Sequence, residues 1–533
     1  MNGHRISRAA AATLFVLPAA LFISGCSQHW PQFRHNVLRT GGQLNNSAAC
    51  DSEQVQSLHI GWDFQPADGR AFRSSPIVYK NRVYIGNANG RLYALNASTG
   101  ALLWQHPPAG SPPLTSQFTC NPSSLGIASS PAIASIGGTD AVIFGAPDQS
   151  FGSGLGEGRL FALNAATGAV IWKSPVVARL TGTTSRSTAQ FHEQIGYSAP
   201  LIFNNRVYVG VANHCDNPIQ RGRVVAVHLA TGAIDGAFTF EATQPAGTRG
   251  GGVWSSVSGW LGGLYVTTGN TRFGSQPEPP VNHGLSLMRL DAGTGSVVWK
   301  LQPVPFALDG DPDWASGANV LLASCGTRIV STMKDGWTYA VNAGTGVPGP
   351  PSVAWQFPPT GFPFTPGDGT THGDIRYLRP GAAWEDVFVT MTGGYAVTTD
   401  VTGGYRRLHG LNVCAANTDR VRWLLDVPGA SGTYALGPPT VCRGVFYVGT
   451  SSGRLIAFAD PGIYPAAGFR CNHPDVPAAA CFANGFRLVP EPAVLADVQL
   501  QGAIMTEPAI SNGRVFVATG FFNDVGTLYM LEP

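Results

Sequence analysis

The segment Ser74–Gln105, SSPIVYKNRVYIGNANGRLYALNASTGALLWQ, reads as four short strands in a row, and the chain repeats it. SPIV ends at a turn on Lys80-Asn81. VYIG runs into a turn from Asn87 to Gly90, whose Asn89-Gly90 step favours a hairpin. LYALN follows, Ala97-Ser98-Thr99-Gly100 reverses the chain, and LLW is the outer strand. Asn96 is placed to cap that last turn with its side chain, and Gly100 to take a positive φ. Ala94 is small where neighbouring sheets approach, and Trp104 is large enough to wedge against the next sheet.

Further copies cover Ala128 to Lys173, Tyr197 to Phe238, Val253 to Lys300 and Ala318 to Phe357. A sixth runs roughly from Gly373 to Leu425, a seventh from Pro438 to Ala459 and an eighth from Glu507 to Pro533. The eighth copy stops after its third strand. Leu58 to Phe64 (LHIGWDF) precedes the first full copy and can supply the missing one. Closure of this kind removes the sheet edges that invite aggregation. The expected fold is all-β: an eight-bladed β-propeller with four-stranded blades, its ring closed by an N-terminal strand. The expected organisation is a lipoprotein signal peptide at 1–25, a linker at 26–57 and the propeller at 58–533.

Only 12% of the residues are charged, and the net charge is +2. Without clustered Lys and Arg there is no nucleic-acid footprint. The 67 glycines and 40 prolines suit many strands joined by tight turns. Arg5 and Arg8 precede an apolar run from Ala9 to Ile23, too short for a membrane-spanning helix. The run ends in Ile23-Ser24-Gly25-Cys26, which resembles a bacterial lipobox; Cys26 would carry the lipid. Ordinary cleavage near Ala19 is the alternative, and export follows from either. Eight cysteines remain beyond Cys26, an even count that favours disulfides in an oxidising compartment. Cys471 and Cys481 are the expected pair; the other connectivities stay open. Neither the C-x-x-C-H of an attached haem nor a C-x-x-C zinc spacing occurs.

The repeat resembles that of the pyrroloquinoline quinone (PQQ) propeller superfamily. Trp30-Pro31-Gln32-Phe33-Arg34 with Arg39-Thr40-Gly41 is similar to the superfamily's opening motif. The superfamily includes PQQ-dependent alcohol dehydrogenases, among them the polyvinyl alcohol dehydrogenase type, as well as cofactor-free members. The resemblance implies a quinone lying on an aromatic floor, a calcium ion with oxygen ligands, and a carboxylate base for the substrate hydroxyl.

On that resemblance, Gly250-Gly251-Gly252-Val253-Trp254 leads to the floor residue, Trp254. Gly269-Asn270 supplies Asn270 as a calcium ligand. Asp313 falls at the catalytic Asp, and Lys334, in Met333-Lys334-Asp335-Gly336, at the Lys or Arg beside the quinone. The acidic calcium ligand is missing: Asn217 stands at its place ahead of Arg221-Gly222, and Asp216 is the substitute. The pair His214-Cys215 allows a metal site or a disulfide. There is no vicinal Cys-Cys pair and no haem domain.

The leading expectation is an exported, lipid-anchored dehydrogenase oxidising a small-molecule or polymer alcohol with PQQ and calcium, without haem, and passing electrons to a separate acceptor. One alternative is a non-catalytic scaffold of the BamB type at the outer membrane. The other is a cofactor-free hydrolase of the tetrathionate type, suggested by the Asp309, Asp311 and Asp313 cluster and the low charge density.

Overall fold

The computed structural model describes residues 28–43, 45–117, 124–148, 157–178, 193–213, 222–242, 250–270, 283–303, 313–314, 316–334, 337–344, 349–357, 382–384, 387–392, 407–416, 419–428, 437–471, 478–520 and 525–533. The fold is an all-β propeller with four-stranded blades. The first sheet joins Ile77–Tyr79, Arg82–Gly86, Leu92–Asn96 and Leu102–His106 in antiparallel order. Comparable sheets follow at 132–173, 201–241, 258–301, 319–357, 382–426 and 440–499. In a further sheet, Ala509–Ser511, Arg514–Ala518 and Leu528–Glu532 are joined by His59–Phe64, which pairs antiparallel with Leu528–Glu532.

The local rules behind each sheet are visible. The first hairpin turns on two residues of positive φ, Lys80 and Asn81; Asn204-Asn205, Leu261-Gly262, Arg443-Gly444 and Asn512-Gly513 repeat the device. Such turns match the right-handed twist of the strands they join. The Asn96 side chain accepts from the N–H groups of Ser98 and Thr99, and Gly100 takes a φ of 70°.

Successive sheets pack face to face. Ile77, Tyr84 and Leu92 of the first share a buried cluster with Val142, Phe144 and Phe161 of the second. Tryptophans on outer strands stitch four of the sheets to their neighbours. Trp104 donates its indole N–H to the Ala165 carbonyl at 3.2 Å, Trp172 to Leu229 at 2.9 Å and Trp355 to Val413 at 2.9 Å. Trp62, in the strand that pairs with Leu528–Glu532, donates to Ala97 of the first sheet at 3.1 Å. The wedge expected of Trp104 is thus made, with a hydrogen bond added.

Two expectations need correction. The seventh copy, read as Pro438 to Ala459, has an outer strand beyond that range. It is Val494–Gln499, reached after an excursion that folds into a two-stranded ribbon, Gly468–Cys471 against Leu488–Glu491. The stretch expected as a linker is, in its described part, built into the ring: Gly42–Gln43 runs parallel to Thr440–Cys442, and Cys50 is bonded to Cys442. Cys325 is bonded to Cys414, and Cys471 to Cys481. Cys26, Cys120, His214 and Cys215 lie outside the described residues. Among those described, no helix is long and apolar enough to cross a membrane.

Candidate active site

Asp313 sits just ahead of the strand Asn319–Ala323, with its side chain only 2% exposed. Two groups hold its carboxylate. The Trp254 indole N–H donates to Oδ2 at 2.9 Å, and Lys334 Nζ lies 2.6 Å from Oδ1. Lys334 also stands over the Trp254 ring, 5.4 Å from its centroid. A desolvated ammonium above an indole face is a favourable cation–π arrangement.

The backbone explains why three residues so far apart in sequence meet. The Lys334 N–H donates to the Asp313 carbonyl at 2.9 Å, and Trp314 bridges Met333. Lys334 therefore lies in the turn after Gly326–Thr332, ahead of Thr338–Asn342. The glycine-rich stretch is tied to the segment beyond Gly263–Thr267: the Gly251 N–H donates to the Asn270 carbonyl and the Gly269 N–H to the Gly252 carbonyl, both at 2.7 Å. A Cβ on Gly269 would lie 3.1 Å from Asp313 Oδ2 and 3.4 Å from Trp254 Cδ1. A larger residue at 269 would push against the carboxylate.

Asn270 is buried beside this group. Asp216, its expected partner as calcium ligand, lies outside the described residues, as do Asp309 and Asp311. Among the described residues no three His, Cys, Asp or Glu side chains cluster as a metal site.

Trp254 lines a cavity open to solvent, together with Phe33, Arg73, Ser75, Ser130, Tyr197, Ser256 and others. Ser75, Ser130, Tyr197, Ser256, Gly317, Pro438 and Met505 each lie just before the first strand of a sheet, so the cavity is on the propeller axis.

The opening motif closes this axis. Backbone hydrogen bonds tie Trp30 to Val78, Pro31 to Ile133, Val37 to Gly259, Leu38 to Val320 and Gly41 to Val441, all on first strands or their borders. Arg34 is fully buried and ion-paired to Glu507 at 2.7 Å. Arg39 is buried too, and its guanidinium donates to the carbonyls of Phe33, Val257, Ala199 and Pro200. Burial brings the Arg39 guanidinium down to about 9. These two arginines went unread as axial elements, because a charged residue defaults to solvent unless its partner is known.

The family described as "PQQ: Glucose/ethanol/alcohol dehydrogenase, beta-propeller domain" matches residues 30–348, more than half of the chain. The chain belongs to that family. Among relatives within reach of this PQQ family, polyvinylalcohol dehydrogenase of Sphingopyxis sp. (strain 113P3) is 26% identical over 303 residues, which cover 52% of this chain and 40% of the relative. The dehydrogenase subunit of the quinone alcohol dehydrogenase of Gluconobacter oxydans (strain 621H) is 24% identical over 340 residues, covering 56% and 41%. The match thus spans about two fifths of the length of these relatives. Among solved structures, the quinohemoprotein alcohol dehydrogenase ADHIIG of Pseudomonas putida HK5 superposes with a TM-score of 0.63 at 15% identity, over 95% of this chain and 80% of that one. A europium-containing methanol dehydrogenase gives 0.61 at 15% identity, over 95% and 98%. At such identity the likeness shows the fold alone.

Proposed function

We propose that this chain is an exported dehydrogenase that oxidises an alcohol, small or polymeric, with PQQ and calcium and hands the electrons to a separate acceptor. The observation that carries the reading is the buried Asp313 carboxylate, held between Lys334 and a tryptophan that lines the axial cavity. The residues fit the cofactor: the Trp254 ring offers an aromatic wall, and the cavity adds a guanidinium and several hydroxyls. When bound there, PQQ would supply the two-electron acceptor. Asp313 takes the proton of the substrate hydroxyl. Lys334 balances the carboxylate charge and, beside Trp254, is the donor available to a quinone oxygen. Asn270 and Asp216 would hold calcium.

The same reading makes 1–25 an export signal, Cys26 the site of lipid attachment to the cell envelope, and 58–533 one ring closed by its own first strand. The pairing of His59–Phe64 with Leu528–Glu532, and the contact of Ile77–Tyr79 with Ala509–Ser511, support that ring. A non-catalytic scaffold has no evident use for a desolvated Asp–Lys pair beside a cavity.

The test is reconstitution with PQQ and calcium, followed by alcohol-dependent dye reduction with small alcohols and polyvinyl alcohol. Turnover lost in Asp313→Asn supports the reading. Absence of both quinone absorbance and turnover overturns it.

A further inference from the structure

We infer that Thr267 is a positioning residue for the group formed by Trp254, Asp313 and Lys334. Its side chain holds open the junction between the fourth and fifth sheets, and its hydroxyl ties the segment carrying Trp254 to the segment carrying Asp313. The inference rests on the dehydrogenase reading for its effect on turnover, and on the fold alone for its effect on the geometry.

The first three junctions show what differs at the fourth. Ser74, Ser129, Ser198, Ser255 and Ser316 each stand three residues ahead of the first strand of their sheet. In the first three sheets this serine meets a glycine near the end of the second strand. Ser74 Oγ accepts the Gly86 N–H at 2.7 Å, Ser129 Oγ that of Gly145 at 3.3 Å, and Ser198 Oγ that of Gly210 at 2.8 Å. No side chain fits at those glycines. A Cβ on Gly86 would lie 2.3 Å from Ile127 Cγ2, on Gly145 2.6 Å from Ile195 Cγ2, and on Gly210 2.3 Å from the Val253 carbonyl oxygen. A close-packed interior does not absorb overlaps of that size. In the fourth sheet the residue at this place is Thr267, and it is buried. The fourth and fifth sheets therefore stand far enough apart for a side chain that the earlier junctions exclude.

Proton counting fixes the direction of the hydrogen bonds across this junction. Thr267 Oγ1 donates to the Ser316 carbonyl at 2.9 Å, which uses its one proton. The Ser255 hydroxyl, 2.6 Å away, then donates to Thr267 Oγ1. At the second junction a single hydroxyl makes the same crossing: Ser129 Oγ donates directly to the Ser198 carbonyl at 2.8 Å. One extra hydroxyl is thus inserted between the fourth sheet and the fifth. Ser255 follows Trp254, and Ser316 lies three residues beyond Asp313. The relay spans the same two segments that the Trp254 indole spans when it donates to Asp313 Oδ2. Without the middle hydroxyl, the buried Ser255 hydroxyl loses its acceptor, a costly loss in a desolvated place. The spacing between indole and carboxylate then has one support fewer.

The experiment follows the Trp254 indole N–H by nuclear magnetic resonance in the intact protein, isotope-labelled at its tryptophan nitrogens. The signal is identified by its absence from Trp254→Phe. Thr267→Val keeps the shape of the side chain and removes the hydroxyl. The Trp254 signal is expected to shift, and its hydrogen exchange to quicken by about tenfold or more. Thr267→Ser should keep the wild-type signal. Ser74→Ala, which removes the corresponding hydroxyl from the first sheet, should leave that signal in place. In protein reconstituted with PQQ and calcium, Thr267→Val is expected to lower kcat by about tenfold or more, with the alcohol KM within about twofold of wild type. Ser255→Ala carries the test if Thr267→Val does not fold. A Trp254 signal unchanged in position and exchange in Thr267→Val overturns the inference, as does an equal shift in Ser74→Ala. If the signal moves as expected and wild type oxidises no alcohol, the positioning role stands and the dehydrogenase reading falls.

Discussion

Lys334 meets Asp313 twice: its backbone N–H donates to the Asp313 carbonyl at 2.9 Å, and its ammonium lies 2.6 Å from Oδ1. The first contact fixes the two chain segments, so the second costs little side-chain entropy beyond one lysine. A carboxylate positioned by backbone is also poised for reaction without rearrangement.

Asp313→Asn keeps the shape of the side chain and removes the proton acceptor. Quinone-dependent alcohol oxidation is expected to fall by about 100-fold or more, with PQQ affinity within a few-fold of wild type. Dye-reduction kinetics beside a binding titration check both halves; undiminished turnover would remove Asp313 from the chemistry.

Arg34 and Glu507 are each fully buried, so removing one partner strands the other's charge. Arg34→Met is expected to cost about 3–5 kcal/mol of stability. The double variant Arg34→Met with Glu507→Gln should recover much of the loss. Denaturant titration of the three proteins measures the coupling.

Burial pushes the His35 imidazole down to about 4 from an ordinary 6.5, so the native state excludes a proton that the unfolded chain binds. Between those two pH values the unfolded state gains protons first, and stability falls as pH falls. The contribution of His35 reaches up to roughly 3 kcal/mol at the acid end. His283 is moved the same way, also to about 4. His35→Gln should flatten the fall in denaturation midpoint between about pH 6.5 and 4 relative to wild type. Parallel curves for the two proteins would contradict the assignment.

The Cys50–Cys442 bond spans 392 residues of sequence. By the chain-entropy relation, its loss should cost about 6 kcal/mol, whereas the short Cys471–Cys481 loop should cost less. Comparing Cys50→Ala/Cys442→Ala with Cys471→Ala/Cys481→Ala by thermal denaturation gives the order; the reverse order would contradict it.

Most of the blade grammar was legible because it is local. Asn96, Gly100 and Trp104 lie within one repeat, and turn chemistry acts over four residues or so. Trp254, Asn270, Asp313 and Lys334 were reached through their resemblance to a motif series, and the structure gathers Trp254, Asp313 and Lys334 into direct contact with the Asn270 segment beside them. What stayed hidden depends on distance. Val494–Gln499 was missed because an intervening ribbon separates it from its sheet. Arg34 could not be placed without Glu507, 473 residues away. Ser75, Ser130 and Ser256 look like ordinary strand-entry serines until the ring brings them around one axis.

The partnership of His59–Phe64 with Leu528–Glu532 also sets a clock. Nearly the whole chain must be synthesised between those two strands, which at about 5–20 residues per second takes tens of seconds. Through that interval the early strand has no native partner, and the Trp62 side chain cannot yet be pinned between two sheets. A chain of this design gains its full cooperativity only once Leu528–Glu532 has been made. A short deletion near residue 530 would then act on the whole ring, and a nascent chain stalled ahead of Leu528–Glu532 would depend on chaperones to keep that early strand apart from other copies.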